Sequence, residues 1–288
     1  MRGDMYRINV HVGTHASGSR TFQRFLAANR QTIIADGYDI ACPPSDDLTE
    51  AAEAKAAASG IGLAMAERGT GERRGLILSD HAIGAQSDRL VKAQFYPEAA
   101  ARARDLRAAL GMAVDRLVLV VQPYEQLFAN AWAQHATASL TRPFADLVPQ
   151  VYGFDGGWLD LVEDLREGLE ARHVTVLAAP QDPMAVLSQI APDLRLSRMV
   201  PPEPAAPVTD SAIAMIQRHL KAGGRFAPGQ RARLMAFHAR QPQLPAPVPF
   251  EGLRLADLRG RYVADLDSLS RMPGVEVVGG TMAHMAAE

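Results

Sequence analysis

Cysteine and lysine are scarce in this chain of 288 residues. Its single cysteine, Cys42, excludes an internal disulfide framework and a cysteine-based zinc cluster, and it favours a reducing compartment. The only lysines are Lys55, Lys92 and Lys221, so arginine carries nearly all of the positive charge. A chemistry that depends on lysine therefore has few candidates.

The chain also lacks a long apolar run and an excess of either charge. No stretch approaches the length that spans a bilayer, and the first residues lack the apolar segment of a signal peptide, so we expect a cytoplasmic protein. Lys+Arg 30 against Asp+Glu 32 leaves a net charge of -2, which gives no global field for nucleic acid or for an anionic membrane. We expect neither partner, and any anion site must be local.

Apolar β-branched runs alternate with helical patterns along the first part of the chain. Strands are predicted at residues 8–12, 76–79, 116–121 and 173–178. Helices are predicted at residues 19–35, 47–67, 97–110, 124–136 and 156–170. This alternation favours an α/β fold in which a central parallel sheet is covered by helices on both faces.

The chain from residue 180 onward is predicted to be more helical. Helical patterns lie near residues 210–221, 228–240 and 255–271. Pro-rich stretches near residues 201–207 and 242–249 fit loops of one unit as well as linkers. Because 48% of the residues are hydrophobic, the chain can bury a full core, and we expect a single domain over residues 1–288.

A Gly-rich loop from Gly13 to Ser19 follows the first predicted strand and opens the first predicted helix. Successive backbone N–H groups and the helix N-terminus then converge on one spot, which favours an anion. An ordinary βα turn is the alternative. A nucleoside-triphosphatase loop would need a lysine directly after Gly18, and Ser19 occupies that position.

Residues 10–23, VHVGTHASGSRTFQ, resemble the 5′-phosphosulfate loop of the bacterial sulfotransferases that use 3′-phosphoadenosine-5′-phosphosulfate (PAPS), whose pattern is close to G-T-H-K-T-G-T-T-S-L-Q. Residues 76–84 resemble that family's second strand and acceptor-side loop, and residues 118–132 its 3′-phosphate segment. The resemblance covers most of the chain, although only the first loop is specific. It implies a three-layer P-loop-type fold and PAPS as the cofactor, without a metal.

The resemblance also implies which residues bind the donor nucleotide. In this reading, backbone amides hold the 5′-phosphate, hydroxyl groups add contacts, and Arg20 supplies charge. The residues of the loop are Gly13, Thr14, His15, Ser17, Gly18, Ser19, Arg20 and Thr21. The hydroxyl residues also suit plain helix N-caps, and Arg20 also suits a solvent-facing position.

Several positions depart from the family pattern where the chemistry takes place. Ala16 replaces the loop lysine that stabilises charge on the leaving phosphate. Gln122 and Asn130 replace an arginine and a serine of the 3′-phosphate segment; both can hydrogen-bond but neither brings charge. His81 falls where the family often has an acidic base, and its imidazole is either a general base or a loop cap.

Two functions follow from this pattern. The first is sulfuryl transfer from PAPS to a small-molecule or glycan-type hydroxyl or amine acceptor, with His81 and Arg20 as catalytic residues. The second is a sulfotransferase-fold binding or scaffold protein that lost turnover with the loop lysine. By position, Tyr96 and residues 154–158 are expected to line an acceptor pocket.

Overall fold

A single sheet of six parallel strands organises the part of the chain that the computed structural model describes, which is residues 6–14, 18–42, 73–80, 87–178, 182–195, 199–201, 207–242 and 250–279. The strands are β1 (Arg7–Val12), β2 (Tyr38–Ala41), β3 (Gly75–Asp80), β4 (Arg116–Val121), β5 (His173–Ala178) and β6 (Val275–Val278). Their order across the sheet is β2-β3-β1-β4-β5-β6. The predicted α/β fold with a central parallel sheet is confirmed.

Helices connect the strands and add a C-terminal layer. They are α1 (Ser19–Ala28), α2 (Arg30–Ala35), α3 (Ser87–Leu90), α4 (Ala99–Leu110), α5 (Tyr124–Ala138), α6 (Val148–Val151), α7 (Trp158–Gly168), α8 (Pro183–Ile190), α9 (Asp210–Lys221), α10 (Gln230–Ala239) and α11 (Gly252–Ser270), with a 3₁₀ turn at Phe144–Asp146. Within the described ranges, no helix is both long enough and apolar enough to cross a membrane.

The central strands are apolar because both faces of the sheet are covered. On one face α1, α2 and α8 contribute apolar side chains such as Phe22, Ile33 and Leu187. On the other face α4, α5, α7 and α11 contribute a larger cluster that includes Phe128 and Trp158. Each cluster lies between the sheet and the helices of one face, so the fold has three layers: helices, sheet and helices.

Within the described residues, the sequence patterns missed two strands, one helix break and the short helices α3, α6 and α8. The edge strands β2 and β6 are four residues each, and β6 is only half-buried, so their local signal is weak. The helix predicted over residues 19–35 is interrupted at Asn29, whose side-chain amide bonds Phe25 O and both backbone groups of Val200. The helix predicted at residues 47–67 and most of both Pro-rich stretches lie outside the described residues.

An ion cluster fastens the amino-terminal ends of three neighbouring strands. Asp193, which follows α8, accepts hydrogen bonds from Arg7 at 2.7 Å, Arg74 at 2.6 Å and the Tyr38 hydroxyl at 2.7 Å. Burial acts to raise the pKa of Asp193, but the hydrogen bonds from Tyr38 and Arg7 outweigh it and hold that pKa below its ordinary value. The carboxylate therefore stays charged and holds the starts of β1, β2 and β3 together.

We expect Asp193→Asn to lower the free energy of unfolding by about 2 kcal/mol, because it removes charge-assisted hydrogen bonds from a half-buried carboxylate. The folded-state pKa of Asp193 is depressed, so its contribution is complete above the ordinary carboxyl pKa and is lost as the pH falls through the depressed value. Urea unfolding of both proteins across acid pH measures this difference.

Asp267→Asn is the matched control for that experiment. Asp267 pairs with Arg271 on the exposed surface of α11, where such a pair contributes roughly 0.5 kcal/mol or less. An equal loss of stability in the two variants would contradict a special role for Asp193.

Candidate functional site

The chain reverses its direction of travel across the sheet between β1 and β4. After β1 it passes through α1 and α2 to the β2 edge, whereas after β4 it proceeds through α5 and α7 toward β5. Helices α1 and α5 cover opposite faces of the sheet. In open parallel sheets, the crevice lies above the carboxyl ends of the two strands on either side of such a reversal, which are β1 and β4 in this chain. Ligands of open parallel sheets bind at such a reversal point.

The first loop residues after β1 are anchored to β4. Gly13 and Thr14 are buried, and the Thr14 hydroxyl donates to Val120 O at 2.8 Å. The Thr14 side chain thus holds the beginning of the loop against the neighbouring strand. Because this hydroxyl is bonded to β4, we expect Thr14 to contribute to a phosphate site through its backbone N–H and by positioning the loop.

Helix α1 begins at the end of the same loop without a side-chain cap. Its N-cap is Gly18, in the left-handed conformation at φ 87°, and no side-chain hydrogen bond caps the helix. Among the described helices, side chains cap α8, where Asp182 accepts from Met184 N, and α9, where Thr209 accepts from Ala212 N, whereas α2, α4, α5, α6, α7, α10 and α11 resemble α1 in having no such cap. The interpretation of the loop hydroxyls as plain N-caps fails at the N-cap position, because a glycine occupies it.

The first turn of α1 is open toward an anion. It contains no acidic side chain, and a Cβ built on Gly18 would meet nothing within 4 Å. Arg20 is exposed in this turn, and Thr21 is half-buried. The N–H groups at a helix N-terminus carry partial positive charge, so this turn has the polarity and the space for a phosphate.

The predicted 3′-phosphate residues lie together at the end of β4. Asn130 Nδ2 donates to Gln122 Oε1 at 2.9 Å, and the Gln122 side chain is 1% exposed. The indole of Trp158 donates to Gln122 O at 3.0 Å, which fixes the backbone before α5. The geometry brings the two residues into one neutral amide pair, held within a well-packed wall.

A second polar group joins β1 to β3 near the same end of the sheet. His11 Nδ1 and Ser79 Oγ are 3.0 Å apart, and Gln23 Nε2 approaches Ser79 O at 3.4 Å. His11 is 1% exposed and packs edge-on to Phe22, with ring centroids 4.7 Å apart. His11 had no role in the sequence analysis, although Asn9 and His11 are polar at alternate positions of an otherwise apolar strand.

The expected acceptor-pocket lining is instead part of the core. Tyr96 is 2% exposed, Phe154 4% and Trp158 0%, and their rings pack around Phe95 and Tyr124. For these three side chains the expectation was wrong, because aromatic rings that cover each other are not available to a ligand; within the same loop, Asp155 is exposed. These rings support the Gln122 wall from behind.

The N-terminus of α7 lies within the same aromatic group, where two side chains accept hydrogen bonds from its first N–H. Trp158 N, in the first turn of α7, donates at 2.8 Å to both Asp265 Oδ2 and the Tyr124 hydroxyl, and these two side chains also bond each other. Burial, followed by the hydrogen bond to Asp265, raises the pKa of Tyr124. Within the described residues, α7 has a carboxylate at its N-terminus and α1 has none.

Several predicted site residues lie outside the described part of the chain. They are His15, Ala16, Ser17 and His81, and the side chain of Ser19 belongs with them. Their roles stay predictions. Within the described ranges, no three His, Cys, Asp or Glu side chains form a group that could hold a metal ion.

Gly18→Ala is expected to lower the free energy of unfolding by about 1–2 kcal/mol, because a left-handed backbone strains any residue with a Cβ. Gly260→Ala is the control: Gly260 lies inside α11 with open space around its Cβ position. Alanine there should raise the stability by roughly 0.5–1 kcal/mol. Both free energies of unfolding are measured with urea, and a change of the same sign in the two variants would contradict the left-handed conformation of Gly18.

Comparisons with protein-family models, with curated proteins and with solved structures find no match to this chain. The likeness of residues 10–23 to a sulfotransferase loop therefore stays a prediction from the sequence. The described architecture that accompanies it is a parallel α/β sheet whose strand order reverses between β1 and β4.

Proposed function

We propose that the crevice between β1 and β4 binds PAPS and that the chain transfers its sulfuryl group to a hydroxyl or amine acceptor. The observation that carries this proposal is the N-terminus of α1, without a side-chain cap, at the end of β1; the neighbouring strand β4 is followed directly by Gln122. An anion-binding turn beside an amide pair suits a nucleotide with two separate phosphates.

The described residues fit this nucleotide in polarity but carry little charge. The first turn of α1 offers backbone N–H groups and Arg20 to the 5′-phosphate. The half-buried Asn130, held by the buried Gln122, offers a neutral hydrogen bond to the 3′-phosphate, which is weaker than a charged one. We therefore propose binding with reduced selectivity for the 3′-phosphate.

The reaction assigns one proton transfer to the chain itself. PAPS, when bound, supplies the activated sulfuryl group. His81 takes the proton of the acceptor hydroxyl as the acceptor oxygen bonds to sulfur and the bond from sulfur to the bridging phosphate oxygen breaks. Backbone N–H groups of α1 and Arg20 hold the phosphate that leaves with the electron pair.

A second candidate is a protein that binds the nucleotide without turnover. It is favoured by Ala16 in the place of a charge-stabilising lysine, since removing one preorganised electrostatic donor commonly costs about 10²–10³ in rate. The Gln122–Asn130 pair brings no charge to the 3′-phosphate, which also fits a protein that no longer has to bind PAPS for turnover. Binding is common to both candidates, and turnover separates them.

Binding of adenosine 3′,5′-bisphosphate, measured by calorimetry with adenosine diphosphate for comparison, tests the donor site. Asn130→Ala should weaken the bisphosphate by roughly three- to tenfold, since one neutral hydrogen bond is lost, and leave the diphosphate unchanged. Thr137→Ala, which removes a polar side chain two turns along α5, should change neither affinity. If wild-type protein binds neither nucleotide, the proposed function is wrong.

Ala16→Lys tests turnover. Under the first candidate the added ammonium should raise the rate of sulfuryl transfer about a hundredfold, because it stabilises the leaving phosphate. Adding His81→Ala to that variant should remove most of the gain if His81 is the base. Bisphosphate binding with no transfer in Ala16→Lys, across a panel of hydroxyl and amine acceptors, would favour the binding protein.

A further inference from the structure

Positive charge is concentrated in a helical hairpin far from the candidate site in the sequence. The hairpin, residues 207–242, contains α9 and α10 and carries six arginine and lysine residues against one aspartate. Its net charge is +5, which leaves -7 on the rest of the chain. The overall charge of -2 conceals this separation.

The cations of the hairpin have no carboxylate partners among the described residues. Five of them are exposed and one is half-buried; they are Arg218, Lys221, Arg225, Arg233, Arg240 and, half-buried, Arg231. The ion pairs of the described chain all lie elsewhere. Arg231 lies over the ring of Phe226, 5.3 Å from its centroid, rather than beside an acid.

Exposed apolar side chains accompany these cations. On α10, Phe237 is 60% exposed and lies between Arg233 and Arg240 at helical spacing, so all three share one face. On α9, Met215 is 40% exposed, with Arg218 one turn further along. A mixture of cations and apolar side chains on one helix face is typical of surfaces that bind the interface of an anionic bilayer.

The hairpin stands at the outside of the fold. Helix α9 packs on α5, and Gln217 of α9 bonds the backbone of Ala136, Ser139 and Thr141 at the end of α5. Helix α10 packs on α9, and none of its residues is fully buried. Leu140, in the segment that Gln217 holds, adds another exposed apolar side chain.

We propose that this hairpin is a peripheral docking surface for an anionic lipid bilayer. Charge complementarity selects the anionic partner. Of the exposed apolar side chains on this surface only Phe237 has a ring on which a base could stack, whereas Leu140, Val208 and Met215 are aliphatic and suit a bilayer interface, so their majority favours lipid over nucleic acid. The expectation of no membrane partner came from the net charge of the whole chain. That net charge excludes a global field but not a local one, because the +5 of the hairpin and the -7 of the rest nearly cancel in the sum.

Co-sedimentation of the full chain with vesicles tests the proposal, using phosphatidylcholine alone and phosphatidylcholine with roughly one third phosphatidylglycerol. Wild-type protein should bind the anionic vesicles only, and added salt should weaken that binding. Arg233→Glu with Arg240→Glu should weaken it by more than about twentyfold, since each cation near the surface contributes about fivefold. Phe237→Ser should weaken it less and leave the salt dependence in place.

The matched control is Arg104→Glu with Arg195→Glu, which changes the charge equally at two exposed arginines outside the hairpin. It should leave vesicle binding unchanged, and circular dichroism checks that each variant is folded. Absence of anionic-vesicle binding, or equal losses in the two double variants, would overturn the proposal. Full binding by Phe237→Ser, retention of single-stranded RNA without vesicles, or a Phe237-dependent dimer without vesicle binding would each overturn it as well.

Discussion

The reversal of the chain between β1 and β4 is the constraint on which the candidate site depends. Parallel strands need crossover connections, and in this fold those connections leave β1 and β4 toward opposite edges and opposite faces of the sheet. The two helices that follow therefore lie on opposite faces. Helix α1 begins at the reversal point with a glycine, and no side chain, at its N-cap.

The two ends of the sheet are built with different chemistry. At the amino-terminal end, Asp193 joins Arg7, Arg74 and Tyr38 into a charged fastening. At the carboxyl end, Thr14 bonds to β4 and Gln122 pairs with Asn130 through neutral groups. The charged side chains there are the exposed Arg20 and the Glu125–Arg259 pair at the start of α5, and neither joins one strand to another.

Helices α1 and α7 differ in how their N-terminal N–H groups are satisfied. Helix α7 has its first N–H satisfied by Asp265 and Tyr124, at the cost of holding a carboxylate among aromatic rings. Helix α1 has no equivalent among the described residues. Because unsatisfied N–H groups are costly when a helix end is buried, an open helix start at the crevice is suited to solvent or to an anion.

The sequence by itself determined the central strands and the long amphipathic helices, since buried β-branched runs such as β4 and periodic helices such as α9 carry their signal locally. It also placed Gln122 and Asn130 in one segment. Tertiary structure alone decided the edge strands β2 and β6, the helix break at Asn29 and the burial of Tyr96 and Phe154. Each of these depends on a partner distant in sequence. The charge of the basic segment can be counted in the sequence, but its exposure beside Phe237 and Met215 on two packed helices was decided by the tertiary structure.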